Sequence, residues 1–264
     1  MEANNHGLPP KILVTGASGA VGSELCHKLV DFGVDVIATD RKISPKLEAL
    51  RGQSLTWVKA DLENSRDRKK IAQAVVDSRE SSLGIIHNAS FVGDSDLDGW
   101  LGPLQSQTDE TWGRAIEVGL SAAFSLTRDI ASQLELGEGS AIVHISSIYS
   151  ALGPDLALYR GTDMGNPAAY GVAKAGLEQL TRWLAVSMAP KVRVNAVSPG
   201  GLLRDQPQTF IESYEAKVPL LRMATEQDVC EAVLFLLSAR SSYVTGQVLI
   251  VDGGYSIKGL IGRD

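Results

Sequence analysis

The chain is poor in cysteine, with only Cys26 and Cys230 in 264 residues. The two lie far apart in apolar-periodic stretches and form no spaced ligand cluster. This excludes a disulfide framework and a structural zinc motif, and both read as reduced packing residues of a cytoplasmic protein. No apolar run approaches the roughly 18–20 residues that a membrane helix needs, so no membrane partner is expected. The opening "MEANNHGLPP" has no basic start followed by an apolar segment, which argues against a signal peptide; residues 1–10 read as a flexible leader. There is no surplus of positive charge either. The net charge is −6 with acids and bases interleaved, which argues against a broad nucleic-acid footprint. His87 and His144 sit in apolar runs without a third ligand at useful spacing, so they read as packing residues and no metal is expected.

What the sequence does have is alternation. Short Val- and Ile-rich runs ("KILVTGA", "VDVIATD", "LTWVKADL", "LGIIHNAS", "SAIVHISS", "VRVNAVSPG", "QVLIVDGG") alternate with segments of helical period. Helices are predicted over "SELCHKLVDFG", "SRDRKKIAQAVVDSR", Thr111–Leu136, about Ala169–Met188 and "TEQDVCEAVLFLLS". Seven strands and about six principal helices read as one doubly wound α/β domain of Rossmann type over residues 11–264, its parallel sheet covered on both faces. In such a sheet the C-terminal ends of the strands share one edge, where ligands bind. "TGASGAVG", "TD", "NAS", "SS" and "SPGG" would all meet there.

"TGASGAVG" spans residues 15–22, between a strand and a helix. Glycines allow a tight turn and a close approach of backbone to pyrophosphate, and the helix N-terminus supplies free N–H donors. The spacing is neither GxGxxG nor a Walker A sequence, and alone it is equally a tight connection. Asp40 ends the second strand, 18 residues past Gly22, near the spacing of an acid that holds a ribose diol. Its charge would repel a 2′-phosphate and favour NAD over NADP, although the neighbouring Arg41 could accept that phosphate. Asp61 ends the third strand and reads either as an adenine contact or as a solvated loop acid.

Tyr170 and Lys174 are four residues apart, so on a helix they share a face, and Ala173, Leu177, Leu180 and Leu184 form an apolar stripe to one side. A nearby ammonium is expected to lower the phenol's pKa and make Tyr170 a general acid/base. Ser147 could hydrogen-bond a substrate carbonyl. A YxxxK pair alone is also an ordinary polar helix face.

The glycine loop, Asn88-Ala89-Ser90, Ser147, Tyr170-x-x-x-Lys174, Ser198-Pro199-Gly200 and "VTGQVLIVDGG" at 244–254 together resemble the short-chain dehydrogenase/reductase family over nearly the whole chain. The resemblance implies an NAD(P)-dependent oxidoreductase, most commonly a homotetramer and less often a homodimer. In it Tyr170 transfers the proton, Ser147 positions the carbonyl, and Lys174 binds the ribose and tunes Tyr170. It further implies that Gly16, Ser18, Gly19, Ala20, Val21 and Gly22 form the cofactor cradle. Asp40, Arg41, Asp61, Leu62, Asn88, Ala89, Ser90, Pro199 and Gly200 would complete it.

Three positions depart from the family pattern. Ala20 stands for a glycine, Ser90 makes "NAS" of the commoner "NAG", and Gly119 occupies the place of a helical asparagine that holds a relay water. Ser90 is tolerable if its backbone needs no positive φ, and Gly119 would leave space for another water or side chain.

Ser147 and Tyr170 are 23 residues apart, a longer interval than in most short members. The spacer at 150–168 must lie over or beside the substrate crevice, and a substrate lid is expected at 201–218. Substrate contacts are expected from Phe91, Trp100, Ser147, Tyr159, Arg160, Arg204 and Tyr214. Arg160 would hold an anionic group, or else pair with Asp155 or Asp163 or make a subunit contact, and the acidic "GDSDLDGW" would wall the pocket or face solvent. The spacer and residues 197–223 resemble a subgroup associated with flagellin or surface-glycan modification, which implies a polar, sugar-like or sugar-phosphate alcohol or ketone. The alternatives are a 3-oxoacyl or broad ketone reductase and a nucleotide-binding scaffold with weakened catalysis.

Overall fold

In a computed structural model of the chain, residues 6–78, 80–91 and 97–258 are described. The first half runs β1 (Lys11–Thr15), α1 (Ala20–Asp31), β2 (Asp35–Asp40), the one-turn α2 (Pro45–Glu48), β3 (Leu55–Lys59), α3 (Ser65–Asp77) and β4 (Leu83–His87). The second half begins with α4 (Asp109–Ile116), which runs through a π-helical turn at Glu117–Ser121 into α5 (Ala122–Asp129). The short α6 (Ala131–Leu134), β5 (Ser140–Ile145), α7 (Ala168–Ser187), β6 (Val192–Pro199), α8 (Gln208–Glu215), α9 (Glu226–Leu237) and β7 (Val248–Val251) complete it.

All seven strands are parallel, in the order β3-β2-β1-β4-β5-β6-β7. The direction of winding reverses between β1 and β4, and a crevice opens beyond the strand ends at such a reversal. Period-two alternation divides the core. Ile12, Val14, Val36, Val143 and Val197 face α1 and α9, together with Leu25, Leu29, Val233 and Leu237. Leu13, Ile37, Ile85, Ile142 and Val194 face the other way, with Ile71, Val75, Leu126 and Leu184. Both cysteines are free and buried in the first layer, and burial pushes the Cys26 and Cys230 thiols up to about 12.

Element boundaries match the sequence expectation closely except in the helix predicted over 111–136. It starts at Asp109, where the Thr108 side chain caps Thr111 N–H, and it breaks at Ile130 (φ −117°, ψ 13°). The π-helical turn holds Gly119 against α7, where a Cβ would stand 3.2 Å from the Ala173 Cβ. The space expected beside Gly119 is therefore taken, on that side, by the closer approach of α7. Along α7, Ala173, Leu177 and Leu184 are buried as expected, but Leu180 is only partly so. Thr181, Lys174 and Glu178 are buried instead. His87 and His144 lie in this layer with ring centroids 5.2 Å apart, hydrogen-bonded to Thr127 (3.1 Å) and Thr181 (2.7 Å) respectively.

Candidate active site

The first loop is fixed by contacts its sequence only hints at. Gly16 has φ +62°, and a Cβ there would lie 2.7 Å from Ala89 Cα; a Cβ at Gly22 would lie 2.2 Å from the Gly16 carbonyl oxygen. The Asn88 amide donates to the carbonyls of Thr15 (3.2 Å) and Gly16 (2.9 Å), while Thr15 Oγ1 accepts the Asn88 and Ala89 N–H groups. The end of β4 is thus stitched to the glycine loop. Among the described residues only Leu221 is a non-glycine with left-handed φ, so Ser90 sits there unstrained. α1 begins at Gly19 with no side-chain cap, which leaves first-turn N–H groups facing a cavity of about 310 Å³.

That cavity is lined by Gly16, Gly19, Ala20, Val21, Asp40, Arg41, Asp61, Leu62, Asn88, Ala89, Ser90, Phe91, Ser147, Tyr170, Lys174, Pro199 and Gly200. Ala20 is exposed, so its methyl is accommodated in open space. Two residues of the expected cradle, Ser18 and Gly22, do not line it. Ser18 ties the loop to the acid instead: its N–H donates to Asp40 Oδ2 (3.1 Å) and its hydroxyl to the Lys42 carbonyl (2.6 Å). Gly22 serves close helix packing. The far wall holds residues the sequence reading missed. Glu63 takes both ends of the Arg114 guanidinium (2.8 and 3.1 Å), and Arg114 lies over Phe91, 5.4 Å from the ring centre. An acid four residues after β3 and an arginine on a distant helix carry no local signal of this pairing.

A second cavity, of about 460 Å³, shares Ser147, Tyr170, Gly200, Leu202 and Arg204 with the first. Tyr149, Tyr159, Asp163, Met164 and Asn166 of the spacer line it, as do Asp205, Gln206, Phe210 and Tyr214 of the 201–218 segment. The spacer and that segment pack on each other: Leu158, Phe210, Tyr214, Val218 and Met223 form a small core of their own. Tyr214 Oη accepts the Gly201 N–H at 2.5 Å, and Tyr159 hydrogen-bonds Tyr149 at 3.0 Å. Two expected substrate contacts lie elsewhere. Trp100 is buried behind Phe91 in an edge contact of 6.1 Å, because the loop after residue 97 folds inward onto α4 and α7. Arg160 is exposed and lines neither cavity, while Asp155 is taken by Lys217, which holds its carboxyl below the usual range. Residues 93–96 of the acidic run lie outside the described residues.

At the junction of the cavities, the Ser147 hydroxyl accepts the Tyr149 N–H (3.3 Å) and sits close enough to the Tyr170 phenol to lower its pKa. Burial pushes the Tyr170 pKa up, with the Ser147 bond and the charge of Arg204 opposing it. This corrects the expectation that Lys174 lowers it. The Lys174 ammonium donates to the Ile145 carbonyl (2.7 Å) and lies 5.7 Å from the phenol ring centre, and burial lowers its own pKa to about 8. The ammonium is engaged by the Ile145 carbonyl, and burial of the phenol outweighs the relief its charge gives.

The sequence profile described as enoyl-(acyl carrier protein) reductase matches residues 16–256. The cis-4-hydroxycyclohexanecarboxylate dehydrogenase of Sinomonas cyclohexanicum is 30% identical over 92% of this chain and 95% of its own. Post-translational flagellin modification protein A of Campylobacter coli is 26% identical over 93% of this chain and 98% of its own. The crystal structure of a short-chain dehydrogenase from Leptospira borgpetersenii with bound NAD+ superposes with a TM-score of 0.82 at 30% identity, covering 97% of this chain and 96% of the other. The glycine cradle, the Ser147–Tyr170 contact beside Lys174 and this likeness along the chain lead to one conclusion: the chain belongs to the short-chain dehydrogenase/reductase family, as an NAD(P)-dependent oxidoreductase.

Proposed function

We propose that this protein is an NAD-preferring dehydrogenase or reductase of a polar, sugar-like or sugar-phosphate alcohol or ketone. The observation that carries this reading is the placement of Ser147 and Tyr170 together on the wall common to both cavities. The larger part of the first cavity fits a dinucleotide. Gly16 and Gly22 let the loop pack against Ala89 and α1 with its backbone close to the cavity, free N–H groups of α1 suit a pyrophosphate, and Asp40 suits a ribose diol. Bound there, the nicotinamide supplies the hydride chemistry.

The chain's own residues do the rest. Ser147 and Tyr170 together hydrogen-bond the substrate oxygen. In reduction the Tyr170 phenol gives its proton to that oxygen, and in oxidation the phenolate takes the proton from the hydroxyl. Lys174 holds ribose hydroxyls and supplies positive charge near the phenolate. Asp163, Asp205, Gln206, Asn166 and Tyr159 give the second cavity hydrogen-bonding groups suited to hydroxyls, and Arg204, its one lining cation among the described residues, suits a phosphate or carboxylate. The likeness to a flagellin-modification protein supports a role in surface-glycan chemistry. Buried free cysteines fit a cytoplasmic setting. Trp112, Phe124, Val172, Trp183 and Val186 on the long helices, and Leu249 and Ile250 on β7, are exposed apolar residues that fit a homotetramer.

Titration with NADH and NADPH, followed by turnover on sugar phosphates, polyols and acyl thioesters, tests the reading. NADH is expected to bind more tightly, and Tyr170→Phe to abolish turnover while leaving that binding intact. Tighter NADPH binding would overturn the role of Asp40, and turnover of acyl thioesters alone would overturn the substrate class.

A further inference from the structure

Glu178 lies one turn beyond Lys174 on α7, so Tyr170, Lys174, Glu178 and Arg182 recur at four-residue intervals along one side of the helix. A carboxylate in this position is expected to reach solvent. Glu178 is buried instead, with 8% of its surface accessible. A buried carboxylate persists only when its oxygens are hydrogen-bonded. Oε1 accepts the Ser146 hydroxyl at 2.8 Å and the Ser150 hydroxyl at 2.5 Å. Oε2 faces the Arg182 guanidinium at 3.8 Å, beyond hydrogen-bond reach.

The two serines bracket Ser147. Ser146 follows the last residue of β5, and Ser150 closes the 3₁₀ turn Ile148–Ser150 that Ser147 caps. The same turn rests on α7 at a second point, where a Cβ on Gly171 would lie 2.9 Å from the Tyr149 carbonyl oxygen. Ser147 therefore stands on a turn fastened to the helix of Tyr170 and Lys174 by a side-chain clamp at one place and a backbone contact at another. Nothing else described for Ser147 sets its distance from the phenol. Apart from Tyr170, its hydroxyl meets the Tyr149 N–H of its own turn, and its carbonyl accepts the Ser150 N–H at 2.9 Å.

We propose that Glu178 is a positioning residue for the oxidoreductase reaction, gripping Ser146 and Ser150 so that the Ser147 hydroxyl stays on the Tyr170 phenol. This rests on the assignment of Ser147 and Tyr170 to the proton-transferring step. What Glu178 supplies is an acceptor oxygen for two hydroxyls, and a glutamine in the same place can supply it too. The surrounding charged and titratable groups leave the clamp to the serines: Lys174 is spent on the Ile145 carbonyl, and His144 on Thr181.

The test uses the full chain with NADH, comparing Glu178→Leu, Glu178→Gln and Ser147→Ala. Glu178→Leu is expected to lower kcat by about tenfold or more, as misplacement of a reacting group by about an ångström does, with the Kd for NADH unchanged. Loss of the Ser147 bond also raises the Tyr170 pKa, so the pH midpoint of alcohol oxidation should move to higher pH, as in Ser147→Ala. Glu178→Gln should restore kcat to within about threefold of the parent, and Glu178→Leu should change kcat less than about twofold in the Ser147→Ala background. If Glu178→Leu does not fold, Ser150→Ala, which removes one bond of the clamp, should give the same upward pH shift with a smaller loss of kcat. A parental kcat and pH midpoint in Glu178→Leu or Ser150→Ala overturns the proposal, as does a loss that persists undiminished without Ser147. A parental kcat in both Ser147→Ala and Tyr170→Phe overturns the underlying site assignment instead.

Discussion

Lys174 carries a conflict between function and stability in one side chain. Its ammonium is buried with a single carbonyl partner, and its pKa falls from 10.5 to about 8. The charged form is therefore disfavoured in the folded, cofactor-free protein by about 3 kcal/mol. Below pH 8 lysine is charged in both folded and unfolded chains, and the whole penalty is present. Between pH 8 and 10.5 the unfolded chain still holds the proton that the folded chain has released, so this group makes stability rise with pH. Lys174→Met should accordingly raise the cofactor-free Tm at pH 7 by about 2–4 °C, after allowing for the lost bond to Ile145. The gain should shrink towards pH 10, and turnover should disappear. Calorimetry at the two pH values checks this, and a lower Tm at pH 7 would contradict it.

At the scale of elements, the substrate wall depends on two glycines after Pro199. A Cβ on Gly201 would lie 2.7 and 2.9 Å from Tyr214 ring atoms and 3.0 Å from Met223 Cε. The base of the 201–218 segment is also pinned there, where Ala224 N–H donates to the Gly201 carbonyl and Leu202 bridges Ala224. Gly201→Ala should push Tyr214 and α8 outward and raise the substrate KM by about tenfold, while the NADH Kd stays at the parental value. Steady-state kinetics beside a binding titration would show it, and an equal rise in both constants would count against it.

Elements were also where the sequence was most legible. Buried parallel strands read as continuous apolar runs, because burial on two faces leaves a strong local pattern, and the stripe on α7 holds at Ala173, Leu177 and Leu184 but only partly at Leu180. The Ser147, Tyr170 and Lys174 constellation was legible for the same reason, since strand ends in this topology share an edge. The positions of Trp100 and Arg160 are not legible in the sequence, because the direction of an irregular loop's side chains is decided by what it packs against. The burial of Glu178 leaves no local signal, because its partners, Ser146 and Ser150, are separated from it by the spacer. The lowered pKa expected for Tyr170 failed because proximity on a helix says nothing about where a flexible ammonium ends up.

The molecule as a whole stores an acid sensitivity in its second core layer. His87 and His144 are fully enclosed between β4, β5 and the helices α5 and α7, and burial holds both rings well below their usual pKa, His87 at about 3. Thr181 donates to the Leu177 carbonyl, so it accepts from His144 Nδ1, and Nε2 is left as a buried acceptor without a partner. Both histidines are neutral when folded and become charged when unfolded below pH 6.5, so stability is present above that value and falls with pH below it. From pH 6.5 to 5 the loss depends only on the unfolded pKa and comes to about 2 kcal/mol per histidine. Urea unfolding across that range should show the drop, and His144→Phe should remove about half of it. A flat pH dependence in the parent protein would rule this origin out.

The spacer and the 201–218 segment share a small core that neither main layer contributes to, and the Asp155–Lys217 ion pair joins them again at its edge. They are two halves of one detachable part, mounted on a sheet that handles the cofactor. Grafting substrate range from a relative therefore calls for exchanging both stretches at once. A graft of either alone would bring half of one small core against half of another.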